Sequence, residues 1–127
     1  MPRAAHPHAL KILLVDDHHD TCAALEKLLA RRGHLVAVSH DVHSAVEAAV
    51  RNKFDLLISD IALPDGTGME LMMRLRAISN VPGIAISGFG NNGDIERSLQ
   101  AGFSEHLTKP IKLENLEAAI ERTLSAT

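Results

Sequence analysis

Five short apolar runs, each followed by a segment with helical spacing, constrain the fold of this 127-residue chain more than any other feature. The runs have the length of buried β-strands, and turn residues bound them. Helical segments between consecutive strands are typical of parallel sheets, so we predict an α/β fold with one doubly wound five-stranded parallel sheet. The predicted strands are Leu10–Val15, His34–Ser39, Phe54–Ser59, Gly83–Ser87 and Glu105–Thr108.

Acidic residues and glycines mark where several of the helices begin and end. Asp20 and Asp41 precede apolar stripes at helical spacing, and each is predicted to cap the helix that follows. Gly33 and Gly102 are predicted to end helices, because glycine tolerates the left-handed backbone of a helix C-terminus. The helix before Gly102 is predicted to span 94–101.

Composition narrows the class of protein. The net charge of -3 leaves no basic surface, so nucleic acid is not an expected direct partner. The single cysteine, Cys22, excludes an internal disulfide and suits a reducing cytoplasm. No apolar run is long enough to cross a bilayer, so no direct membrane contact is expected. Residues 1–9 contain two prolines and two histidines and are predicted to be a disordered lead-in or linker remnant, with one domain over 10–127.

Polar residues follow four of the five predicted strands. Asp16 and Asp17 follow the first, Asp60 follows the third and looks exposed, Ser87 ends the fourth, and Lys109 follows the fifth. The carboxyl ends of parallel strands meet at one edge of the sheet, where α/β proteins bind their ligands. We therefore expect three carboxylates, a hydroxyl and an ammonium group to lie close together.

These groups suit one kind of chemistry. Three neighbouring carboxylates repel one another, and Mg²⁺, which prefers oxygen ligands, would relieve that repulsion. A metal, an ammonium and a hydroxyl suit a phosphoryl group in transfer, and a central carboxylate can be its nucleophile. The second strand ends at Ser39-His40 and is not expected to contribute.

The same residues resemble the receiver domain of two-component response regulators, from about Lys11 to Leu124. The resemblance implies a flavodoxin-like (βα)5 fold with strand order 2-1-3-4-5. The matching segments are Leu14-Val15-Asp16-Asp17, Asp60-Ile61-Ala62-Leu63-Pro64-Asp65-Gly66-Thr67-Gly68 and Ala101-Gly102-Phe103-Ser104-Glu105-His106-Leu107-Thr108-Lys109-Pro110.

The resemblance also implies a role for each acidic residue. Asp60 would accept a phosphoryl group from a phosphohistidine on a partner, a histidine kinase or a histidine phosphotransfer protein. Asp17 and Asp60 would bind Mg²⁺ through their side chains, and Ala62 through its backbone carbonyl. Asp16 would act mainly through a metal-bound water. Such a domain is a signalling switch that catalyses its own phosphorylation and dephosphorylation, rather than a metabolic enzyme.

The remaining roles fall to the last two strands. Lys109 would pair with Asp60 before transfer and with the phosphoryl group afterwards, across a cis bond to Pro110. Ser87 would turn toward the phosphoryl oxygen. His106 stands where receivers commonly carry Tyr or Phe, so this switch residue is expected to couple differently to Ser87.

A histidine at position 106, together with the linker-like start, favours a receiver joined to a hybrid sensor kinase. The expected location is the cytoplasm, or the cytoplasmic portion of a membrane-bound kinase with a covalently linked kinase module. A stand-alone receiver is the alternative.

Three other functions remain open at this point. The chain could be an interaction module with the same shape that works without phosphorylation. It could be an aspartate-nucleophile phosphohydrolase of the haloacid dehalogenase type, although its nucleophile candidate follows the third strand rather than the first. Gly88–Gly93 matches the G-x-G-x-x-G pattern of dinucleotide sites but lacks the acidic residue about 20 positions later. The close histidine pairs are expected to be solvated, with His18 and His19 near the mouth of the site.

Overall fold

A computed structural model describes residues 9–88 and 92–125 of the chain. Within them, five strands form one parallel sheet in the order β2-β1-β3-β4-β5. The predicted α/β fold and strand order are therefore confirmed. The strands are β1 Lys11–Val15, β2 Leu35–Ser39, β3 Leu56–Asp60, β4 Gly83–Ser87 and β5 Glu105–Thr108. The predicted lead-in lies outside the described residues except for Ala9.

Five helices connect and flank the strands, as the alternation of segments predicts. They are α1 His19–Arg31, α2 Val42–Arg51, α3 Gly68–Ile78, α4 Asn92–Ala101 and α5 Leu113–Ser125. A two-stranded hairpin, Ala62–Leu63 with Gly66–Thr67, stands between β3 and α3. No helix in the described part of the chain has both the length and the apolar character to cross a membrane.

Only one of the two predicted N-terminal caps is present. Asp41 caps α2, accepting a hydrogen bond from the Ser44 backbone N–H at 2.8 Å. Asp20 does not cap α1, because that helix begins at His19 and places Asp20 inside its first turn. There its carboxylate interacts with the positive end of the helix dipole instead. Gly33 and Gly102 follow their helices with φ of 92° and 117°, as predicted.

The core has two halves, one on each face of the sheet. Side chains alternate along each strand, so Ile12 and Leu14 face α1 and α5 whereas Leu13 and Val15 face α2 and α3. β3 and β4 are buried along their whole length because helices cover both faces. This burial fixes the central strands rigidly, and with them the residues at their carboxyl ends.

Candidate functional site

The carboxyl ends of β1, β3, β4 and β5 meet at one edge of the sheet. Asp60 is the last residue of β3, and Asp16 follows β1, its neighbour in the sheet. Both aspartates are buried, with 4% and 1% of their surfaces exposed, so the expectation of an exposed Asp60 is wrong. The side chain of Asp60 nevertheless lines a cleft of about 380 Å³, together with His18, Ser87 and Lys109.

Lys109 connects the two buried carboxylates. Its Nζ lies 2.9 Å from Asp60 Oδ2 and 2.8 Å from Asp16 Oδ2. The backbone places it there, because the Lys109 N–H continues the sheet by donating to the Ser87 carbonyl at 2.8 Å. The Lys109–Pro110 bond is cis, as predicted. The ammonium therefore lies against the candidate phosphoacceptor in this structure.

The electrostatics of Asp16 follow from these contacts. Burial raises the pKa of its carboxyl group, but the contact with Lys109 and hydrogen bonds from the backbone and ring of His18 outweigh burial, so the pKa is lowered overall. Burial lowers the pKa of Lys109, but Asp16 and Asp60 together raise it above its ordinary value. Both shifts favour the charged forms of the pair.

Asp17 is the more exposed member of the acidic group. Its side chain is 40% exposed, and its Oδ1 lies 3.3 Å from Nδ1 of His18. One potential ligand atom from each of Asp16, Asp17, His18 and Asp60 lies within 4.8 Å of the others. The predicted metal-binding side chains are thus brought together.

The donor set fits a hard divalent cation. Three carboxylates face one ammonium here, which leaves an excess of negative charge. The partner of the buried Asp16 Oδ2 is Lys109 Nζ at 2.8 Å, and the same ammonium also contacts Asp60, so one positive charge is shared by two buried carboxylates. Carboxylate oxygens in this number are the ligands that Mg²⁺ prefers.

The loop after β3 positions Ala62. Its backbone N–H donates to Asp60 Oδ1 at 3.1 Å. Asp65 ties the same loop to α2 by accepting from the backbone N–H groups of Val42 at 2.7 Å and His43 at 3.0 Å. These two bonds also lower the pKa of Asp65. The backbone of Ala62, a predicted metal ligand, is therefore held beside Asp60.

Ser87 and His106 are in direct contact. Ser87 ends β4, and its hydroxyl is hydrogen-bonded to Nε2 of His106 on β5 at 3.1 Å. Burial lowers the pKa of His106, against an opposing effect of Asp94, and this shift favours the neutral form of the ring. The predicted glycine-rich loop cannot be compared with this arrangement, because residues 89–91 lie outside the described part of the chain.

Sequence reasoning missed contacts made by two histidines and a cysteine. The second strand was expected to contribute nothing, but His40 Nδ1 donates to the Asp16 carbonyl at 2.8 Å, and its ring stacks on His19. Cys22 Sγ donates to the same carbonyl at 3.2 Å. His40 directly follows β2, so its place at the same sheet edge was the available signal. His18 lines the cleft, as expected, but it also contacts the acids directly.

Comparison with known proteins identifies the family. The family model described as response regulator receiver domain matches residues 12–121. The transcriptional regulatory protein PrrA of Mycobacterium tuberculosis is 34% identical over 115 residues, which cover 90% of this chain and 49% of PrrA. An uncharacterized 14.6 kDa protein of Leptolyngbya boryana is 34% identical over 105 residues, 80% of each chain.

Solved structures give the same result. A two-component response regulator from Clostridium difficile has a TM-score of 0.87 at 28% identity, with 91% of this chain and 96% of that chain covered. The receiver domain of sensor histidine kinase PA1611 from Pseudomonas aeruginosa, with magnesium in its active site cleft, has a TM-score of 0.83 at 32% identity, with 92% and 98% covered. The chain therefore belongs to the response regulator receiver domain family of two-component systems.

Proposed function

We propose that this domain accepts a phosphoryl group on Asp60 from a phosphohistidine of a histidine kinase or histidine phosphotransfer protein. The observation that carries the proposal is the convergence on Asp60 of Lys109 Nζ, at 2.9 Å, and of two further carboxylates at one open cleft. Asp60 is held by the Ala62 N–H and by Lys109, so its oxygens have a fixed direction. A fixed nucleophile beside a cation suits in-line phosphoryl transfer.

In the proposed transfer, one bond to phosphorus forms as another breaks. An oxygen of Asp60 forms a bond to phosphorus while the bond from phosphorus to the donor imidazole nitrogen breaks. That nitrogen keeps the electron pair and takes up a proton. Lys109 moves from the carboxylate to the phosphoryl oxygens, where negative charge gathers, and the Ser87 hydroxyl donates a hydrogen bond to one of them.

Mg²⁺ fits the acidic group on the grounds given above. Asp17, Asp60 and the carbonyl of Ala62 would hold it directly, and Asp16 through a water. When bound, it supplies positive charge that offsets the charge of the phosphoryl oxygens. The chain's own residues provide the nucleophile, the ammonium and the hydroxyl.

Substitution of the acceptor tests the proposal. We expect Asp60→Asn to abolish phosphoryl uptake from acetyl phosphate, because the amide is a far weaker nucleophile of nearly the same shape. Uptake would be followed by intact-mass spectrometry with Mg²⁺ and again with excess EDTA, which should prevent it in the unsubstituted protein. Asp55→Asn is the matched control, since Asp55 lies at the opposite end of β3, where its side chain accepts a hydrogen bond from the Lys11 N–H at 2.8 Å. Undiminished labelling of Asp60→Asn would contradict the proposal.

The contact between Ser87 and His106 suggests how the switch works. With the Ser87 hydroxyl donating to Nε2 of a neutral His106, its proton has to turn away from the imidazole before Ser87 can donate to a phosphoryl oxygen. The bond therefore stabilises the unphosphorylated arrangement. A neutral hydrogen bond contributes about 1 kcal/mol net, which corresponds to about a fivefold shift between two states.

We expect His106→Phe to bind beryllofluoride, an acyl phosphate mimic, about fivefold more tightly, because Ser87 loses its hydrogen bond to His106. Titration followed by NMR would measure the affinity. The same histidine substitution made in a Ser87→Ala background is the control and should have little effect, since the hydroxyl is already absent. An equal effect in both backgrounds would show that His106 acts by another route.

A further inference from the structure

One ring nitrogen of His18, Nδ1, faces the acidic group. Its Nδ1 lies 3.0 Å from Asp16 Oδ1, 3.3 Å from Asp17 Oδ1 and 3.9 Å from Asp60 Oδ2. The side chain as a whole is 65% exposed, so burial does not force this orientation. One nitrogen therefore faces all three carboxylates at once.

These distances match the spacing of atoms that share one cation. In an octahedral site with bonds of about 2.1 Å, adjacent ligand atoms lie about 3.0 Å apart and opposite ones about 4.2 Å apart. The distance from Nδ1 to Asp16 Oδ1 equals the adjacent spacing, and the distances to Asp17 Oδ1 and Asp60 Oδ2 lie between the adjacent and the opposite spacing. Lys109 contacts both Asp16 and Asp60, and its one positive charge beside three carboxylates leaves an excess of negative charge that a cation can offset.

We propose that His18 is a nitrogen ligand of this cation site, and that the site therefore binds Zn²⁺ or another imidazole-binding divalent ion in addition to Mg²⁺. Imidazole suits Zn²⁺, Ni²⁺ and Cu²⁺, whereas Mg²⁺ favours oxygen and retains water. Three carboxylates alone would discriminate less between these ions. An added nitrogen ligand therefore raises the affinity for Zn²⁺, Ni²⁺ and Cu²⁺ more than the affinity for Mg²⁺.

The expected effect of Zn²⁺ on phosphoryl uptake rests on the proposed function, whereas the binding of Zn²⁺ through His18 does not. A cation that binds the imidazole in addition to its oxygen ligands has fewer open positions for a phosphoryl oxygen. Zn²⁺ would then compete with Mg²⁺ and slow phosphoryl uptake by Asp60. Lys109 Nζ lies 3.4 Å from Nδ1, so the same cation would also disturb the ammonium.

Titration of the full chain with Zn²⁺ and with Mg²⁺ by calorimetry tests the proposal. We expect His18→Gln to weaken Zn²⁺ binding at least about tenfold, and Mg²⁺ binding much less. Losing a residue that merely hydrogen-bonds to a metal ligand already costs about tenfold in metal affinity, so losing a ligand should cost at least as much. The side chain of His18 makes no capping hydrogen bond to α1, so its replacement leaves the helix start intact. His43→Gln is the control, since the side chain of His43 is 79% exposed and its Nε2 lies 3.8 Å from Glu47, away from the acidic group.

A spectroscopic measurement gives a second readout that does not involve phosphorylation. With one equivalent of Cu²⁺ bound, electron spin echo modulation should show a coordinated imidazole nitrogen in the unsubstituted protein and in His43→Gln, but not in His18→Gln. Equal Zn²⁺ affinities in all three proteins, or no nitrogen coupling in the unsubstituted one, would overturn the proposal. If the unsubstituted protein showed the nitrogen coupling but took up no phosphoryl group, only the proposed function would be overturned.

Discussion

Replacing Lys109 with methionine is expected to lower the free energy of unfolding by about 3 kcal/mol in the absence of divalent cations. The side chain is 18% exposed, and its ammonium contacts Asp16 and Asp60, which are nearly fully buried. Methionine keeps much of the length but removes the charge, so two buried carboxylates face each other uncompensated. Phosphoryl uptake should also be lost, because the ammonium stabilises the phosphoryl oxygens.

Urea unfolding with and without Mg²⁺ measures the effect and its cause. Mg²⁺ should restore part of the lost stability, since it replaces the missing positive charge at the same carboxylates. Lys112→Met is the control, because Lys112 is exposed and should change stability by no more than about 0.5 kcal/mol. Equal losses in both variants, or no response of the Lys109 variant to Mg²⁺, would contradict the account.

The same substitution should have a defined pH dependence. The pKa of Asp16 is lowered from 3.8, so its contribution is present above that pH and is lost as the pH falls through the folded-state value. The pKa of Lys109 is raised from 10.5, so its contribution is present below that pH and is lost as the pH rises through the folded-state value. The stability difference between the two proteins should therefore be largest between these limits.

Gly68→Ala is expected to destabilise the protein by about 3 kcal/mol, the upper end of the cost of overpacking. A Cβ at this position would lie 2.3 Å from the backbone carbonyl oxygen of Asp60 and 3.1 Å from Cα of Ile61. Both neighbours are backbone atoms, so neither can rotate away. Gly68 also donates its N–H to the Ile61 carbonyl at 2.7 Å, which holds α3 against the loop after β3.

Chemical denaturation monitored by circular dichroism would give the change in stability. Gly88→Ala is the matched control for stability, because a Cβ there would meet nothing within 4 Å. It should change the free energy of unfolding by no more than about 0.5 kcal/mol. The account would be wrong if the two alanines had equal effects. Displacement of Asp60 should also slow phosphoryl uptake in Gly68→Ala.

The fold was predictable because short, periodic patterns of apolar residues along the sequence determine its strands and helices. Each strand is an apolar run bounded by turn residues, and β4 and β5 have the predicted bounds. β3 was displaced by one or two residues at each end, since Asp60 pairs with Ile86 inside the sheet while Phe54 lies outside it. β2 begins one residue later than predicted, because the backbone N–H of His34 still donates to the Leu29 carbonyl of α1 at 3.2 Å.

The grouping of Asp16, Asp60 and Lys109 followed from topology, since parallel strands bring their carboxyl ends to one edge. The topology did not, however, predict the directions in which the side chains at this edge point. The orientation of His18 depends on where α1 begins, and the contact of His40 with the Asp16 carbonyl depends on the path after β2. The bond between Ser87 and His106 depends on the register of β4 with β5 and on rotamers that a linear pattern does not specify.

The central claim is that Asp60, and no other carboxylate in the cleft, receives the phosphoryl group. The most direct measurement is to treat the protein with acetyl phosphate and Mg²⁺, reduce the acyl phosphate with borohydride, and locate the modified residue by peptide mass spectrometry. The account predicts modification at Asp60 alone. Modification at Asp16 or Asp17, or none at all in a folded protein with Mg²⁺ bound, would contradict it.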